Sequence, residues 1–140
     1  MSNYSNVIGG LKTILGTAIT GVHVYNHPVD SVQEFPAAII LPEAITPEIA
    51  FAGNSFEGDL RIVFLVNQGV SEEAFATLYD HIDPTTANKS VLKAVRDNPT
   101  LGGNVDDSGV TRIENIGRRE LWGGYYVGFD AIVHFIKTVA

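Results

Sequence analysis

The sequence predicts a single α+β domain: a sheet of about five strands, mostly antiparallel or mixed, with helices packed on one face. Three observations lead there. The chain has 140 residues, the length of one ordinary domain. Its apolar residues recur at helical spacing near 5–17, 74–82 and 91–95, and as extended runs elsewhere. The strand-like runs mostly follow one another directly, without the crossover helix that a parallel pair needs. The order of elements reads α-β-β-β-α-α-β-β, all in one unit spanning 1–140.

The first helix is expected at about 5–17, with Ser5 as its cap. Val7, Ile8, Leu11, Ile14, Leu15 and Ala18 make its apolar face. Gly9 and Gly10 lower its propensity. Val22-His23-Val24-Tyr25 is a short strand. Pro36 opens the apolar run Ala37-Ala38-Ile39-Ile40-Leu41, which reads as a central strand, covered on both faces and stopped by Pro42. Glu57 to Asn67 reads as a long strand, polar where it starts. Ser71 caps the next helix, with Glu72 and Glu73 in the favourable first turn and Val70 and Phe75 in the staple positions. Asp83-Pro84 ends it. A further helix runs through Val91, Leu92 and Val95 and stops before Pro99.

Val110 to Gly117 reads as a strand, and Gly123-Gly124 marks the return into a final strand from Tyr125 to Val139. Along that strand Phe129, Ala131, Val133 and Phe135 alternate with Asp130, Ile132, His134 and Ile136. The first set is wholly apolar and should face the helices. Between 43 and 56 the chain is apolar, with Ile45, Ile49, Phe51 and Phe56, yet Pro42, Pro47 and Gly53 interrupt it. It reads as a long loop or projecting hairpin, with its apolar residues covered by another protein.

Composition narrows the function. Hydrophobic residues make up 45% and charged ones only 18%, against an average of about 25% charged. That excludes a disordered chain and suggests apolar surface hidden in an assembly. The formal charge is −7, so general nucleic-acid binding through phosphates is not expected. With no cysteine, disulfides, thiolate catalysis and cysteine-zinc sites are excluded. The most apolar stretch, Tyr125 to Ala140, contains Asp130, His134 and Lys137 and falls short of the ~20 residues of a membrane helix. A soluble protein without a membrane partner is expected.

Catalytic motifs are scarce. His23 and His27 lie in a strand and its turn, and no His-Glu-x-x-His pattern occurs. Asn104-Val105-Asp106-Asp107-Ser108-Gly109 fits part of a calcium loop, but Asn115 stands where the bidentate Glu belongs, so a plain turn is the simpler reading. No Gly-x-Ser-x-Gly elbow is present. No catalytic residue, metal or cofactor is expected. One segment is unusual: Arg118-Arg119-Glu120-Leu121-Trp122-Gly123-Gly124-Tyr125-Tyr126 gathers two cations, the only tryptophan and two tyrosines. These residue types are enriched in interface cores. The candidate contact residues are therefore Arg118, Arg119 and Trp122, with Ile49, Phe51 and Phe56. The competing account packs Trp122 on its own sheet.

The order of these runs resembles a known family. An N-terminal helix precedes Phe35-Pro36-Ala37-Ala38-Ile39-Ile40-Leu41. Then come Gly58-Asp59-Leu60-Arg61-Ile62-Val63-Phe64-Leu65-Val66 and a helix starting at Ser71-Glu72-Glu73. The double-Arg segment leads through Leu121-Trp122 into the last strand. Nearly the whole chain is similar in this way to the tail terminator proteins of long-tailed, lambda-type bacteriophages. The resemblance implies a virion protein that closes as a homohexameric ring on the tail tube, at the head-proximal end of the tail. Such a ring stops tube polymerisation and meets the head connector, with DNA passing only as cargo. Assembly would take place in the host cytoplasm. The alternatives are another head–tail connector or completion protein, or a small hydrolase or ligand-binding domain.

Overall fold

The computed structural model describes residues 2–47, 55–69 and 71–139. Three helices and five strands follow in the expected order: α1 (Asn3–Ala18), β1 (His23–Tyr25), β2 (Ala37–Pro47), β3 (Phe56–Gln68), α2 (Glu72–Ile82), α3 (Val91–Arg96), β4 (Asp107–Leu121) and β5 (Gly124–Lys137). The strands form one sheet in the order β1-β2-β3-β5-β4. β1 runs parallel to β2, and the other three pairings are antiparallel. The fold is α+β with a mixed sheet.

The helices cover one face. Leu60, Ile62 and Phe64 of β3 and Phe129, Ala131, Val133 and Phe135 of β5 meet Val7, Leu11, Ile14 and Leu15 of α1, Leu78 of α2 and Val91 and Val95 of α3. The alternation along β5 thus places its wholly apolar set on the helices, as the sequence predicts. Phe64 and Phe129 stack with centroids 5.2 Å apart at its centre. Gly10 has a packing reason: a Cβ there would overlap the Leu101 carbonyl and the Asn104 amide.

Several boundaries differ from the sequence reading. α1 begins two residues earlier, because Ser2 rather than Ser5 is the cap, its Oγ accepting from the Ser5 N–H at 3.0 Å. Ser71 caps α2 as expected, accepting from the Ala74 N–H at 3.1 Å. Val70, the other half of the staple, lies outside the described residues. β4 is about twice its expected length. Its Gly and Arg residues hide the strand pattern, and register shifts at Val110/Arg112 and Glu114/Gly117 break its alternation.

The strand expected to stop at Pro42 continues, and of the two readings of 43–56, loop or hairpin, the structure has the hairpin. Its flanks are regular strand: β2 runs through Pro42 to Pro47 and pairs with Phe56 to Asp59 of β3. Proline is tolerated because β1 pairs with β2 only through Ala37–Ile39. Beyond Ile39 the outer side of β2 has no strand neighbour among the described residues, so a missing N–H there costs no ladder bond. A register shift between Pro42 and Ala44 absorbs Glu43. The result is a hairpin arm whose β2 residues Pro42–Pro47 are all exposed.

The segment between β1 and β2 crosses to the face without helices. There Val32, Ala37, Ile39, Val63, Leu65 and Tyr126 form a second, smaller core, flanked by Val29, Phe35, Leu41 and Leu121. This explains why 37–41 is apolar on both sides.

Burial separates two phenylalanines. Phe129 is fully buried, so Phe129→Ala should destabilise by about 3–5 kcal/mol. Phe75 is only half-buried, beside Gly117 and Tyr79, so Phe75→Ala should cost about 1–2 kcal/mol. Urea titrations of both variants check this; equal losses would contradict the assigned burial.

Candidate interaction surface

The helix-free face carries three zones along the sheet: the small apolar core, a charged middle and the arm. The middle is built on Asp130, whose side chain is 2% exposed. A lone carboxylate at that depth is unfavourable unless hydrogen-bonded to cations. Arg61 Nη1 donates to Asp130 Oδ2 at 2.7 Å, Arg119 Nη1 donates to Oδ1 at 2.6 Å, and Asn115 Nδ2 donates to Oδ2 at 2.8 Å. Asn115 reaches it from the β4 irregularity, with φ of 54°, a conformation asparagine tolerates better than most residues.

Register explains the rest. Glu114 lies directly opposite Asp130, and like charges in that position repel. Arg61 bridges them, with Nη2 2.9 Å from Glu114 Oε1 and Nη1 on Asp130. It also donates through Nε and Nη2 to both oxygens of Glu43 at 3.0 and 2.9 Å. These bonds hold the guanidinium pKa above its ordinary range, the Glu43 contact contributing most, and the same contact lowers the Glu43 pKa. Arg112 completes the set with Glu114 at 3.0 Å. Three cations and three carboxylates from four strands balance.

Toward the arm, His134 of β5 has Nδ1 2.9 Å from Asp59 Oδ1 and Nε2 3.1 Å from Glu57 Oε2. Both ring nitrogens face carboxylates, so both donate only when the ring is a cation. The hydrogen bond to Asp59 is the main cause of its raised pKa. His81 is the opposite case. It is buried against Phe64 and bonded through Nδ1 to the Lys89 carbonyl at 2.7 Å, and burial lowers its pKa.

The double-Arg segment is divided by strand geometry. Adjacent strand residues point to opposite faces. Arg118 lies on the helix side, with its guanidinium carbon 4.3 Å from the Tyr125 ring centroid. Arg119 lies on the other face, and its carboxylate is Asp130 of its own chain. The two residues read together as contact candidates thus lie on opposite faces. Trp122 and Gly123 form the two-residue turn between β4 and β5, both with positive φ, 51° and 77°, as a tight hairpin requires. For tryptophan this backbone costs roughly 1 kcal/mol. Its ring stands edge-on to Tyr126 at 5.6 Å yet stays 41% exposed.

Trp122 rims a cleft of about 240 Å³ lined by Pro28, Val29, Ile39, Leu41, Val63 and Leu121. Trp122 thus covers its own sheet and also presents a face outward. Phe56 is not a projecting residue. It packs on Tyr4 at 6.2 Å and Phe135 at 5.9 Å, at the end of the main core. Ile49 and Phe51 lie outside the described residues. Asp106 and Asp107 lead into β4, and no group of metal-binding residues occurs among the described residues. No helix there is long and apolar enough to cross a membrane.

The charged middle leaves little trace in the sequence, because Arg61 and Asp130 are 69 residues apart. The one local signal is Asp130 itself, a single acid inside the apolar run Phe129–Phe135. A scan against protein-family models finds no match to this sequence, and no curated protein matches it.

Two outcomes test this surface. Asp130→Asn leaves two arginines without their buried counter-charge and should destabilise by about 3–5 kcal/mol; Asp97→Asn, which breaks the solvent-screened pair with Lys93, should leave stability nearly unchanged. Thermal or urea unfolding distinguishes them. The histidines set opposite pH limbs. The raised pKa of His134 stabilises the fold fully below its unfolded value of about 6.5, and that contribution is lost as pH rises through the folded value. The lowered pKa of His81 gives a contribution lost as pH falls below about 6.5. Replacing His134 by Gln should flatten the alkaline limb of stability measured from about pH 6 to 9. An unchanged limb would place the titration elsewhere.

Proposed function

We propose that this chain is a non-catalytic subunit of a closed homo-oligomeric ring, of the kind the bacteriophage tail terminator resemblance implies. One observation carries the reading. Large apolar side chains are exposed in two unlike places: Tyr79, Ile116, Trp122 and Tyr125 toward the β4–β5 turn, and Ile45 and Ile136 toward the arm. Tyr125 and Ile136 are eleven residues apart on one strand, roughly 36 Å. Exposed apolar side chains at opposite ends of the sheet suit head-to-tail contacts, which close into a ring when the rotation permits. The turn-end patch also holds Arg118 over Tyr125, the composition of an interface core.

In this reading the ring is a hexamer that caps the tail tube, ends its growth and meets the head connector. DNA passes through as cargo, and the net charge of −7 keeps phosphate from adhering. The acting groups are contact surfaces, and no bond is made or broken.

Light scattering at several concentrations tests the ring, together with electron microscopy of the purified protein. Six copies of a 15.1 kDa chain would give about 91 kDa and ring-shaped particles. A second arm adds the protein to tail-tube subunits and measures tube length; capped tubes of limited length are expected. A monomer that forms no ring, even with tube present, overturns the reading. A ring without effect on tubes would favour another connector role.

A further inference from the structure

We infer that the apolar cleft beneath Trp122 receives the hairpin arm of a second copy of this chain, with Ile45 as the inserted side chain. The contact rests on the ring reading and names both of its halves. The cleft is almost wholly apolar, lined by Val29, Ile39, Leu41, Val63 and Leu121, and about 240 Å³ in volume, room for a branched aliphatic group. Water in such a space finds few polar partners. Trp122 stands over it with its ring incompletely covered and its backbone in a costly conformation. A second apolar surface across the cleft would complete its burial.

The arm supplies that surface. Ile45 is 51% exposed between Pro42 and Pro47. Neither proline has an N–H to offer a neighbouring strand, so the outer edge of the arm is suited to side-chain docking rather than added strand pairing.

Ile45 cannot fill the cleft of its own chain. Leu41 lines the cleft, and Ile45 lies four residues further along β2, roughly 13 Å away. It also points to the other side: it pairs with Gly58, where an added Cβ would touch Ile45 and Phe135 of the helix-side core. An Ile45 seated in the cleft therefore comes from another molecule. An arm at one end of the sheet entering a cleft near the other is a head-to-tail contact, which repeats from copy to copy.

Charge agrees with this pairing. Lys137 lies at the same end of the sheet as Ile45, across β3 from the arm, in register with Phe56, which pairs with Pro47. Asp30 follows the cleft residue Val29 and is exposed. Among the described residues neither Lys137 nor Asp30 has an ion-pair partner. An apolar knob on the end of the sheet that carries this cation thus faces an apolar socket next to an acid, which favours one direction of contact.

The chain has no cysteine, so cross-linking is clean. Val29→Cys places a thiol in the cleft and Ile45→Cys one on the arm. Under mild oxidation the double variant should give a ladder of linked chains on a non-reducing gel. A mixture of the two single variants should give linked dimers only, and each single variant alone none. In the second experiment, Lys137→Glu or Asp30→Lys alone should weaken association by about five-fold or more, and the two together should restore it. No ladder from a protein that light scattering shows to be oligomeric overturns this contact and leaves the ring reading standing, with another occupant in the cleft. A ladder from open filaments or dimers supports the contact and overturns the ring. A monomer with no ladder at any concentration overturns both.

Discussion

Asp130 is the constraint on which the rest of the sheet depends. It sits in the middle of β5, an interior strand between β3 and β4, with almost no contact with water. An ionised carboxylate there is tolerable only while Arg61, Arg119 and Asn115 all reach it. Arg61 comes from β3, and Arg119 and Asn115 from β4. Arg61 is tied in turn to Glu43 of β2. A slip of one residue in any of these pairings would turn its partner to the helix side, away from the Asp130 carboxylate. The network therefore selects one register for four strands. The irregularity in β4 belongs to the same arrangement, because it swings Asn115 and Arg119 inward.

That constraint also divides the helix-free face. Its charges are internally balanced, so the middle of the face is polar and self-satisfied, with little to offer a partner. Unsatisfied apolar surface is left at the two ends: the cleft under Trp122 and the exposed arm. The distribution accounts for a chain with only 18% charged residues that nevertheless places so many of them in one patch. On the proposed reading, the patch keeps the protomer rigid while its ends make the contacts of the ring.

Much of the fold is legible in the residues. The alternation of Phe129, Ala131, Val133 and Phe135, the Ser71 cap with its acids, and the Asp83-Pro84 stop each act locally, so each leaves a local mark. The choice between loop and hairpin for the arm is not legible, because proline breaks a strand only where its N–H is needed, and the free outer edge of β2 is a tertiary fact. The length of β4 is hidden by its glycines and by two register shifts. The site is less legible than the fold. Arg118 and Arg119 look like a pair in the sequence, although neighbours on a strand must diverge, and Arg119 serves Asp130 alone. The cleft combines residues from three distant segments around positions 28, 40 and 121 with Val63, and only the folded chain brings them together.

The most direct test of this account is a double-mutant cycle between Arg61 and Asp130. Stability is measured for Arg61→Ala, Asp130→Ala, the double variant and the parent. If the buried network sets the register, the two changes will be strongly non-additive, with a coupling above about 1.5 kcal/mol. Coupling within about 0.5 kcal/mol of zero is the level of an exposed ion pair. That result would contradict the account and leave the register to apolar packing alone.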